Sequence, residues 1–329
     1  MKAAMIGSGN MGTALAGLLA ENGWKVTCWD HVPEVVEDIH KNHRNERYLP
    51  GVELHPSIQG ELILERVVKE ASMVVVAVPS PYFRHVMAES LPFLKTEAVV
   101  LNVAKGLEPS TSKRLSEVFA ETARHSSERF VTLAGPAVAM DFSRKKPTCV
   151  LAASESESCR TKVAAALTHS HFRVDTISDV AGAEWGGVLK NVYAIGLGLL
   201  DGLDSGGSNL RAAFAVASMN EMRRLGTALG AQAETLNGLA GLGDLVATGF
   251  STESHNRRLG EYLGRGKNFE DALDAMGGGV PEGVRSATLA VELAAKQKVE
   301  VPIAAAVEAC LKTPVVARPR FLAQVLKAC

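Results

Sequence analysis

The sequence carries almost no excess of charge. Its 35 lysines and arginines are balanced by 36 aspartates and glutamates, which leaves a formal net charge of -1. A basic surplus that would attract nucleic acid or an anionic membrane surface is therefore missing. We expect no nucleic-acid partner, and small-molecule chemistry becomes the more natural interpretation.

Cysteine is also scarce, with 5 in 329 residues, and no two cysteines form a C-x-x-C pair. Their number is odd, and no clustered histidines complete a zinc site. We therefore expect reduced thiols, no disulfide framework and no metal centre.

Long uninterrupted apolar runs are lacking as well. The most apolar stretch, residues 188–203, contains Lys190, Asn191 and Asp201, so it indicates a protein interior rather than a membrane span. The opening residues lack the basic start, apolar stretch and cleavage site of a signal peptide. The expectation is a cytoplasmic protein without membrane insertion.

The chain instead has two contrasting halves, and its length suits two domains. Residues 1–180 alternate helical periodicity with short apolar runs, which predicts a Rossmann-type parallel sheet with helices on both faces. The predicted strands cover residues 2–6, 25–29, 73–78, 98–103, 131–134 and 149–153. Residues 181–329 are rich in Ala, Leu, Gly, Glu and Arg at helical spacing, which predicts an all-helical second domain.

A glycine-rich turn connects the first predicted strand to the first helix. Its glycines are Gly7, Gly9 and Gly12, with Asn10 and Met11 between the last two. Gly7 permits a tight turn, Gly9 lets the backbone approach a pyrophosphate, and Gly12 lets the helix pack on its strand. An ordinary strand-to-helix turn is the alternative, but the placement favours a dinucleotide-binding fingerprint.

Asp30 ends the second predicted strand, where a carboxylate can accept hydrogen bonds from an adenosine ribose. This favours NAD over NADP, because a 2′-phosphate would be repelled there. The neighbouring His31, together with Arg44 or Arg47, could still compensate that charge. Asp30 could alternatively serve as a helix cap.

Several sequence blocks resemble those of NAD(P)-dependent glycerol-3-phosphate dehydrogenase, in the same order and at similar spacing over nearly the whole chain. They are RYLPG at 47–51, AVPS at 77–80, KGLEP at 105–109, GP at 135–136, PT at 147–148, EWGGVLKNVYA at 184–194, GLGDL at 241–245, SHNRR at 254–258 and PEGVR at 281–285. One such block would be weak evidence, whereas this many in order are strong evidence for the family.

The resemblance implies reversible reduction of dihydroxyacetone phosphate to sn-glycerol 3-phosphate by NAD(P)H, a step that feeds glycerophospholipid synthesis. Lys190 matches the family's proton-transferring lysine, and its apolar surroundings make a charged group costly unless it has a role. Lys105 follows a buried strand and matches a carbonyl or phosphate contact. Asp244 could orient Lys190, with Thr248 four residues on along the same helical face. The alternatives are a snorkelling Lys190, a surface-loop Lys105 and a helix-capping Asp244.

The remaining site residues are carried over from the resemblance. The expected cofactor contacts beyond the glycine turn and Asp30 are His31, Lys105, Ala139, His255, Val280 and Glu282. The expected contacts to a small phosphorylated substrate are Lys105, Gly135, Ala137, Lys190, Asp244, Thr248, Ser254, His255 and Asn256. A homodimer is also compatible with the Ala- and Gly-rich helices of the second half.

The sequence departs from the family pattern within this predicted pocket. His255 stands where the family usually has arginine, and histidine cannot offer phosphate the same bidentate fork. One of the adjacent Arg257 and Arg258 is expected to replace that contact. The other departures are Met11 for an aromatic residue, Ala137 for a hydroxyl residue, Met140 for lysine and Asp141 for glutamate. Two alternatives follow, namely another small phosphorylated ketone as substrate, or a non-catalytic dinucleotide sensor.

Overall fold

A computed structural model describes residues 1–123, 127–203 and 207–329. The chain divides into two units, Met1–Val180 and Ala181–Cys329. The first unit is built on a single β-sheet, and the described residues of the second form helices and connecting turns without a strand.

Eight strands form the sheet within the described part of the first unit, in the spatial order β3-β2-β1-β4-β5-β6-β7-β8. The strands are β1 Lys2–Ile6, β2 Lys25–Trp29, β3 Ile58–Gly60, β4 Met73–Val76, β5 Val99–Asn102, β6 Phe130–Ala134, β7 Thr148–Ala153 and β8 Phe172–Ile177. The helices between them are α1 Asn10–Glu21, α2 Pro33–Asn42, α3 Leu64–Val68, α4 Phe83–Ser90, α5 Leu115–Ala123, α6 Ala139–Ser143 and α7 Glu157–Leu167.

The predicted α/β class with a Rossmann-type sheet is confirmed, but the sheet is not parallel throughout. Strands β1 to β6 pair in parallel, whereas β7 runs antiparallel to β6, with Leu133 opposite Ala152. Strand β8 then pairs in parallel with β7. A parallel pair needs a crossover that returns along the whole strand. The connection between β6 and β7 carries only the five-residue α6, and the chain reverses there to give the antiparallel pair.

Two strands at the edges of the sheet were not predicted from the sequence. Strand β3 has only three residues, which is too short for a periodic signal. Strand β8 alternates between buried Phe172 and Val174 and exposed Arg173, as a half-buried edge strand does. Both lie at the rim of the sheet, where one side lacks a neighbouring strand.

The central strands β4, β5 and β6 are buried at every position because helices cover both faces of the sheet. Val75 and Leu101 pack into the cluster that contains α1, whereas Val74, Val76 and Val100 pack into the cluster that contains α4 and α5. Each fully buried aliphatic side chain contributes about 1.5–3 kcal/mol relative to exposure. This double burial makes the sheet the rigid frame of the first unit.

The second unit begins within α8 and continues through shorter helices. Its helices are α8 Val180–Gly202, α9 Ser208–Ala228, α10 Ala233–Asn237, α11 Asp244–Gly249, α12 His255–Gly264, α13 Phe269–Ala275, α14 Glu282–Gln297, α15 Pro302–Lys312 and α16 Pro314–Ala328. A single π-helical turn, Leu239–Gly243, precedes α11. Among the described helices, none is both long enough and apolar enough to cross a membrane.

Helices α8 and α12 cross with their backbones in direct contact. A Cβ atom on Gly198 would lie 1.9 Å from the carbonyl oxygen of Arg257, and one on Gly260 would lie 2.0 Å from that of Ile195. Both distances are far below van der Waals contact, so only glycine fits at either position. This glycine crossing, made by Gly198 and Gly260, fixes the start of α12 against α8.

Candidate cofactor site and active site

The glycine turn of the first unit has the geometry of an anion-binding loop. Gly7 adopts φ +93°, a conformation that favours glycine, and a Cβ on Gly12 would lie 2.0 Å from the Gly7 carbonyl oxygen. A Cβ on Gly9 would meet no protein atom within 4 Å. Among the described residues no side chain caps α1, so its first amides, at Asn10 and Met11, remain available to a phosphate.

Asp30 is 6% exposed and holds this turn in place. Its Oδ2 accepts a hydrogen bond from the Ser8 amide at 2.7 Å, and its Oδ1 accepts one from the Val32 amide at 3.0 Å. The exposed His31 places Nδ1 3.1 Å from the same Oδ1. Asp30 does not cap α2, which begins after Val32 without a side-chain cap, and its Oδ2 keeps a further lone pair for a ribose hydroxyl.

Asn45 is a buried positioning residue that the sequence analysis missed. Its Nδ2 donates to the Ser8 carbonyl at 2.8 Å and to Thr13 Oγ1 at 2.7 Å. Thr13 Oγ1 in turn donates to the Ser8 carbonyl at 3.0 Å. The glycine turn is thus braced on both sides, by Asp30 at one amide and by Asn45 at one carbonyl. The only sequence signal was its position two residues before the RYLPG block.

Two predicted substrate contacts lie together at the carboxyl ends of adjacent strands. Lys105 follows β5 and Gly135 follows β6, and Lys105 Nζ donates to the Gly135 carbonyl at 2.8 Å. Ala137 is half-buried against the core around α1, and Ala139 is the buried first residue of α6. Asp141, which stands where the family has glutamate, forms an ion pair with Lys146, and its Oδ1 lies 2.7 Å from Nζ.

The segment that carries Lys105 is anchored by a buried carboxylate. Glu108 accepts two hydrogen bonds from Arg84, at 2.6 Å from Nε and 2.8 Å from a terminal nitrogen. Thr111 Oγ1 adds a third donor at 2.5 Å. The Arg84 guanidinium is the largest cause that lowers the pKa of Glu108, to about 2. The carboxylate stays ionised and fixes the segment from Lys105 onward to α4.

The second unit buries a lysine with two polar partners. Lys190 is 7% exposed and lies on α8. Its Nζ is 2.7 Å from Asp244 Oδ1 and 2.7 Å from Thr248 Oγ1, both on α11. The Thr248 hydroxyl also donates to the same carboxylate oxygen at 3.3 Å. The ammonium is therefore held inside the unit and does not snorkel to the surface.

The π-helical turn brings Asp244 to Lys190. A Cβ on Gly186 would lie 2.4 Å from the Ala240 carbonyl oxygen, so the turn packs directly on the α8 backbone. Gly186 precedes Lys190 by one helical turn and therefore shares its face of α8. Asp244 follows the π turn at the start of α11, which places its carboxylate over Lys190. Single π turns of this kind occur frequently at functional sites.

Asn256 connects three helices beside Lys190. Its Nδ2 donates to Asn191 Oδ1 at 3.0 Å, and its Oδ1 accepts from the Gly283 amide at 3.0 Å. Glu282, a predicted cofactor contact, is the first residue of α14 and precedes Gly283. Val280 lies just before that helix and is exposed. The amide of Asn256 thus sets the start of α14 relative to α8 and α12.

His255 occupies an exposed position as the first residue of α12, and Ser254 caps that helix by accepting from the Arg257 amide at 3.3 Å. The Arg257 guanidinium pairs with Asp201 and with Glu261, the latter at 3.2 Å. The expectation that Arg257 could replace the missing arginine contact is therefore not supported, because its charge is already neutralised within the helical unit.

Comparisons with known proteins cover both units. The N-terminal model of NAD-dependent glycerol-3-phosphate dehydrogenase matches residues 2–160, and the C-terminal model matches residues 179–317. A glycerol-3-phosphate dehydrogenase [NAD(P)+] of Citrifermentans bemidjiense is 43% identical over 305 residues, which is 92% of this chain and 90% of that protein. The corresponding protein of Bacillus velezensis is 39% identical over 311 residues, 94% of this chain and 90% of its own.

Solved structures agree with these matches. The crystal structure of glycerol-3-phosphate dehydrogenase from Coxiella burnetii superposes with a TM-score of 0.89 at 32% identity and covers 98% of each chain. A ketopantoate reductase from Ralstonia eutropha gives a TM-score of 0.60 at 17% identity, with 100% of this chain and 99% of that chain covered, and shares the fold alone.

Proposed function

The chain belongs to the NAD-dependent glycerol-3-phosphate dehydrogenase family, and from this premise we propose that Lys190 moves the proton when it interconverts dihydroxyacetone phosphate and sn-glycerol 3-phosphate. It is an NAD(P)-dependent oxidoreductase that acts on a CH–OH group. The observation that carries the role of Lys190 is its burial beside Asp244 and Thr248. A buried ammonium with two partners is a costly feature that a purely structural helix would not need.

We assign cofactor binding to residues 1–180 and proton transfer to residues 181–329. The glycine turn fits a dinucleotide, because the first amides of α1 lack a side-chain cap and the space at Gly9 is open. When bound, the nicotinamide supplies or accepts the hydride. The protein then has to orient the carbonyl and handle a single proton.

During reduction the carbonyl oxygen becomes an alkoxide, and the Lys190 ammonium donates a proton to it. The Asp244 carboxylate and the Thr248 hydroxyl hold Nζ in place through the 2.7 Å contacts. In the reverse direction the neutral amine accepts the hydroxyl proton of the alcohol. Asp244 is thus a positioning residue for Lys190.

The substrate contacts proposed for the first unit are Lys105, Gly135 and Ala137, which follow the ends of β5 and β6. Lys105 offers an ammonium to a phosphate or carbonyl oxygen, and its bond to Gly135 orients it. For the second unit we propose Ser254, His255 and Asn256 at the start of α12. Because Arg257 is tied to Asp201, Arg258 is the better replacement for the arginine absent at position 255.

Cofactor choice follows from the charge at the end of β2. The Asp30 carboxylate is anchored to the Ser8 and Val32 amides and cannot move away from a 2′-phosphate without losing both bonds. We therefore propose a preference for NAD over NADP. We further propose that the enzyme supplies backbones for glycerophospholipid synthesis, that it is located in the cytoplasm and that it forms a homodimer.

The assay of NADH oxidation with dihydroxyacetone phosphate tests this proposal directly. We expect Lys190→Ala to lower kcat by about 10³-fold while NADH affinity stays within about twofold, since only the proton donor is lost. A small primary amine such as methylamine should restore part of the turnover. Lys296→Ala, at an exposed position of α14, is the matched control.

Normal turnover by Lys190→Ala would reject its role. If the wild-type protein reduced a different keto phosphate and not dihydroxyacetone phosphate, that other compound would be assigned as the substrate. Dinucleotide binding without turnover of any ketone would indicate a sensor.

A further inference from the structure

Three metal-binding side chains converge on one side of the first unit. Glu21 ends α1, while His169 and His171 flank Ser170 just before β8. Each offers one ligand atom, and these atoms lie within 4.8 Å of one another. The sequence had indicated no metal centre because no histidines clustered with further ligands. That expectation overlooked the fold, which brings the end of α1 to a distant histidine pair.

The segment that carries the two histidines is rigid. His169 and Phe172 exchange both backbone hydrogen bonds, at 2.7 and 3.0 Å, around a two-residue turn. The His171 carbonyl accepts from the Thr148 amide at 2.9 Å. Fixed backbones of this kind position ligands before a metal arrives, which lowers the entropy cost of binding.

The end of α1 is fastened to the same region. Asn22 Nδ2 donates to the Ala166 carbonyl at 2.9 Å and to the Thr168 carbonyl at 3.1 Å. Glu21, the preceding residue, is thereby held next to the histidine turn.

We propose that Glu21, His169 and His171 bind a divalent first-row transition-metal ion of the Zn²⁺, Co²⁺ or Ni²⁺ class. The Nδ1 atoms of His169 and His171 are 3.0 Å apart. Two nitrogens bound tetrahedrally at 2.0–2.1 Å would be separated by about 3.3 Å, so little movement is needed. Two imidazoles and one carboxylate suit these borderline ions, whereas Mg²⁺ and Ca²⁺ prefer oxygen ligands.

The surroundings leave room for the fourth ligand of a tetrahedral ion. Glu21 and His171 line a cavity of about 300 Å³ together with Leu18, His55 and Phe142. Water can therefore complete the coordination. Lys145 Nζ lies 3.5 Å from Glu21 Oε1 and competes with a metal for that carboxylate.

The site is separate from the dinucleotide turn. Asn10 and Glu21 are the two ends of α1, about 17 Å apart along the helix axis. A bound ion would connect α1 to the turn before β8 and stabilise the first unit without entering the reaction. Turnover of metal-free protein should therefore be insensitive to loss of either histidine.

Titration of chelator-treated full-length protein with Co²⁺ tests the proposal. We expect one equivalent to bind with micromolar affinity, to give visible d–d absorption bands and to raise Tm by several degrees. His169→Ala and His171→Ala should each weaken binding at least tenfold and keep kcat within twofold. His40→Ala, at an exposed position of α2, is the control and should bind as the wild type does.

A second variant strengthens the test through the competing cation. Lys145 has φ +61°, which asparagine tolerates, so Lys145→Asn removes the charge and keeps the backbone. Its Co²⁺ affinity should rise severalfold. The proposal is overturned if wild-type protein binds no Co²⁺ at millimolar concentration. It is equally overturned if both histidine variants bind normally, or if a near-ultraviolet thiolate band shows that exposed cysteines such as Cys149 hold the ion.

Discussion

The glycine turn of the first unit and the lysine cluster of the second prepare for ligands in opposite ways. The turn offers backbone amides and open space, and the buried side chains of Asp30 and Asn45 hold it in shape. The cluster offers a buried charge, Lys190, positioned by side chains 54 and 58 residues further along the chain. A backbone site depends on conformation, whereas a side-chain site depends on partners. Substitutions in the glycine turn and in the lysine cluster should therefore have different effects on ligand binding, turnover and stability.

The largest effect is expected at the lysine cluster. Asp244→Asn keeps the shape of the side chain but removes the charge that balances Lys190 at 2.7 Å. Removal of one partner from a buried ion pair costs about 3–5 kcal/mol. We expect kcat to fall by about 10³-fold and Tm to fall as well, measured by NADH oxidation and by calorimetry. Thr248→Val is the milder companion, with an expected loss of about tenfold. A kcat within threefold of wild type in Asp244→Asn would show that the cluster is not organised by charge.

A matched pair of substitutions separates conformation from ligand contact in the glycine turn. A Cβ on Gly9 meets no protein atom within 4 Å, whereas a Cβ on Gly12 would overlap the Gly7 carbonyl oxygen. Gly9→Ala should leave Tm unchanged and weaken NADH binding about 10²-fold, because the new methyl group occupies the pyrophosphate position. Gly12→Ala should lower both. Equal NADH affinity of Gly9→Ala and wild type, by fluorescence titration, would contradict the backbone contact.

A smaller change is expected in cofactor choice. Asp30→Asn removes the negative charge at the end of β2 but keeps an oxygen that can accept from the Ser8 amide. We expect the ratio of kcat/KM for NADPH over NADH to rise about tenfold, which corresponds to about 1.4 kcal/mol. His31→Ala serves as the comparison, since its exposed ring contributes less. A ratio that stays constant in Asp30→Asn would assign cofactor choice to other residues.

The smallest effects concern two buried glutamates, one in each unit, whose pKa values move in opposite directions. The Arg84 guanidinium lowers the pKa of Glu108 from its ordinary value of 4.5 to about 2. Its stabilising contribution is therefore complete above pH 4.5 and disappears as pH falls towards 2. Burial raises the pKa of Glu221, although the Ile303 and Ala304 amides oppose the shift. Its contribution is complete below pH 4.5 and is lost as pH rises through the folded value.

These signs give a comparison of thermal midpoints between pH 3 and pH 7. Glu108→Gln should destabilise the protein more at pH 7 than at pH 3, whereas the penalty of Glu221→Gln should shrink as pH rises. Each difference should amount to a few degrees. Glu292→Gln, at an exposed position of α14, controls for the substitution itself. Parallel pH profiles for Glu108→Gln and Glu221→Gln would contradict the opposite pKa shifts.

The two units also differ in how much of each was predictable from sequence. Strand β1 matched its predicted bounds because a strand buried on both faces is a continuous apolar run. Strand β2 also matched, and its burial alternates along the strand. The contact of Lys190 with Asp244 was foreseen because both lie in blocks that resemble the family, and Thr248 was added because it lies four residues after Asp244 on the same helix. Asn45 and the Glu21 cluster were not foreseen, since nothing local encodes which distant loop will lie beside them.

The antiparallel β7 shows a further limit of sequence patterns. Its residues, Thr148–Ala153, are as apolar as those of a parallel strand, and periodicity carries no information about direction. The length of the preceding helix carries none either, because the five-residue α3 joins the parallel strands β3 and β4, whereas the equally short α6 joins the antiparallel strands β6 and β7. Strand direction therefore cannot be predicted from the apolar pattern of the strand or from the length of the helix before it.

The glycine crossing of α8 and α12 constrains some positions of the second unit and leaves others free to be substituted. Gly198 and Gly260 contact backbone atoms of the opposite helix, and a change of side-chain rotamer cannot relieve such a contact. A larger residue at either position would therefore force the helices apart. The exposed side chain at position 255 begins α12 without taking part in that crossing. A substrate contact at position 255 can therefore change without any change in the packing of α8 against α12. The exchange of arginine for histidine at this position is one that the helices tolerate.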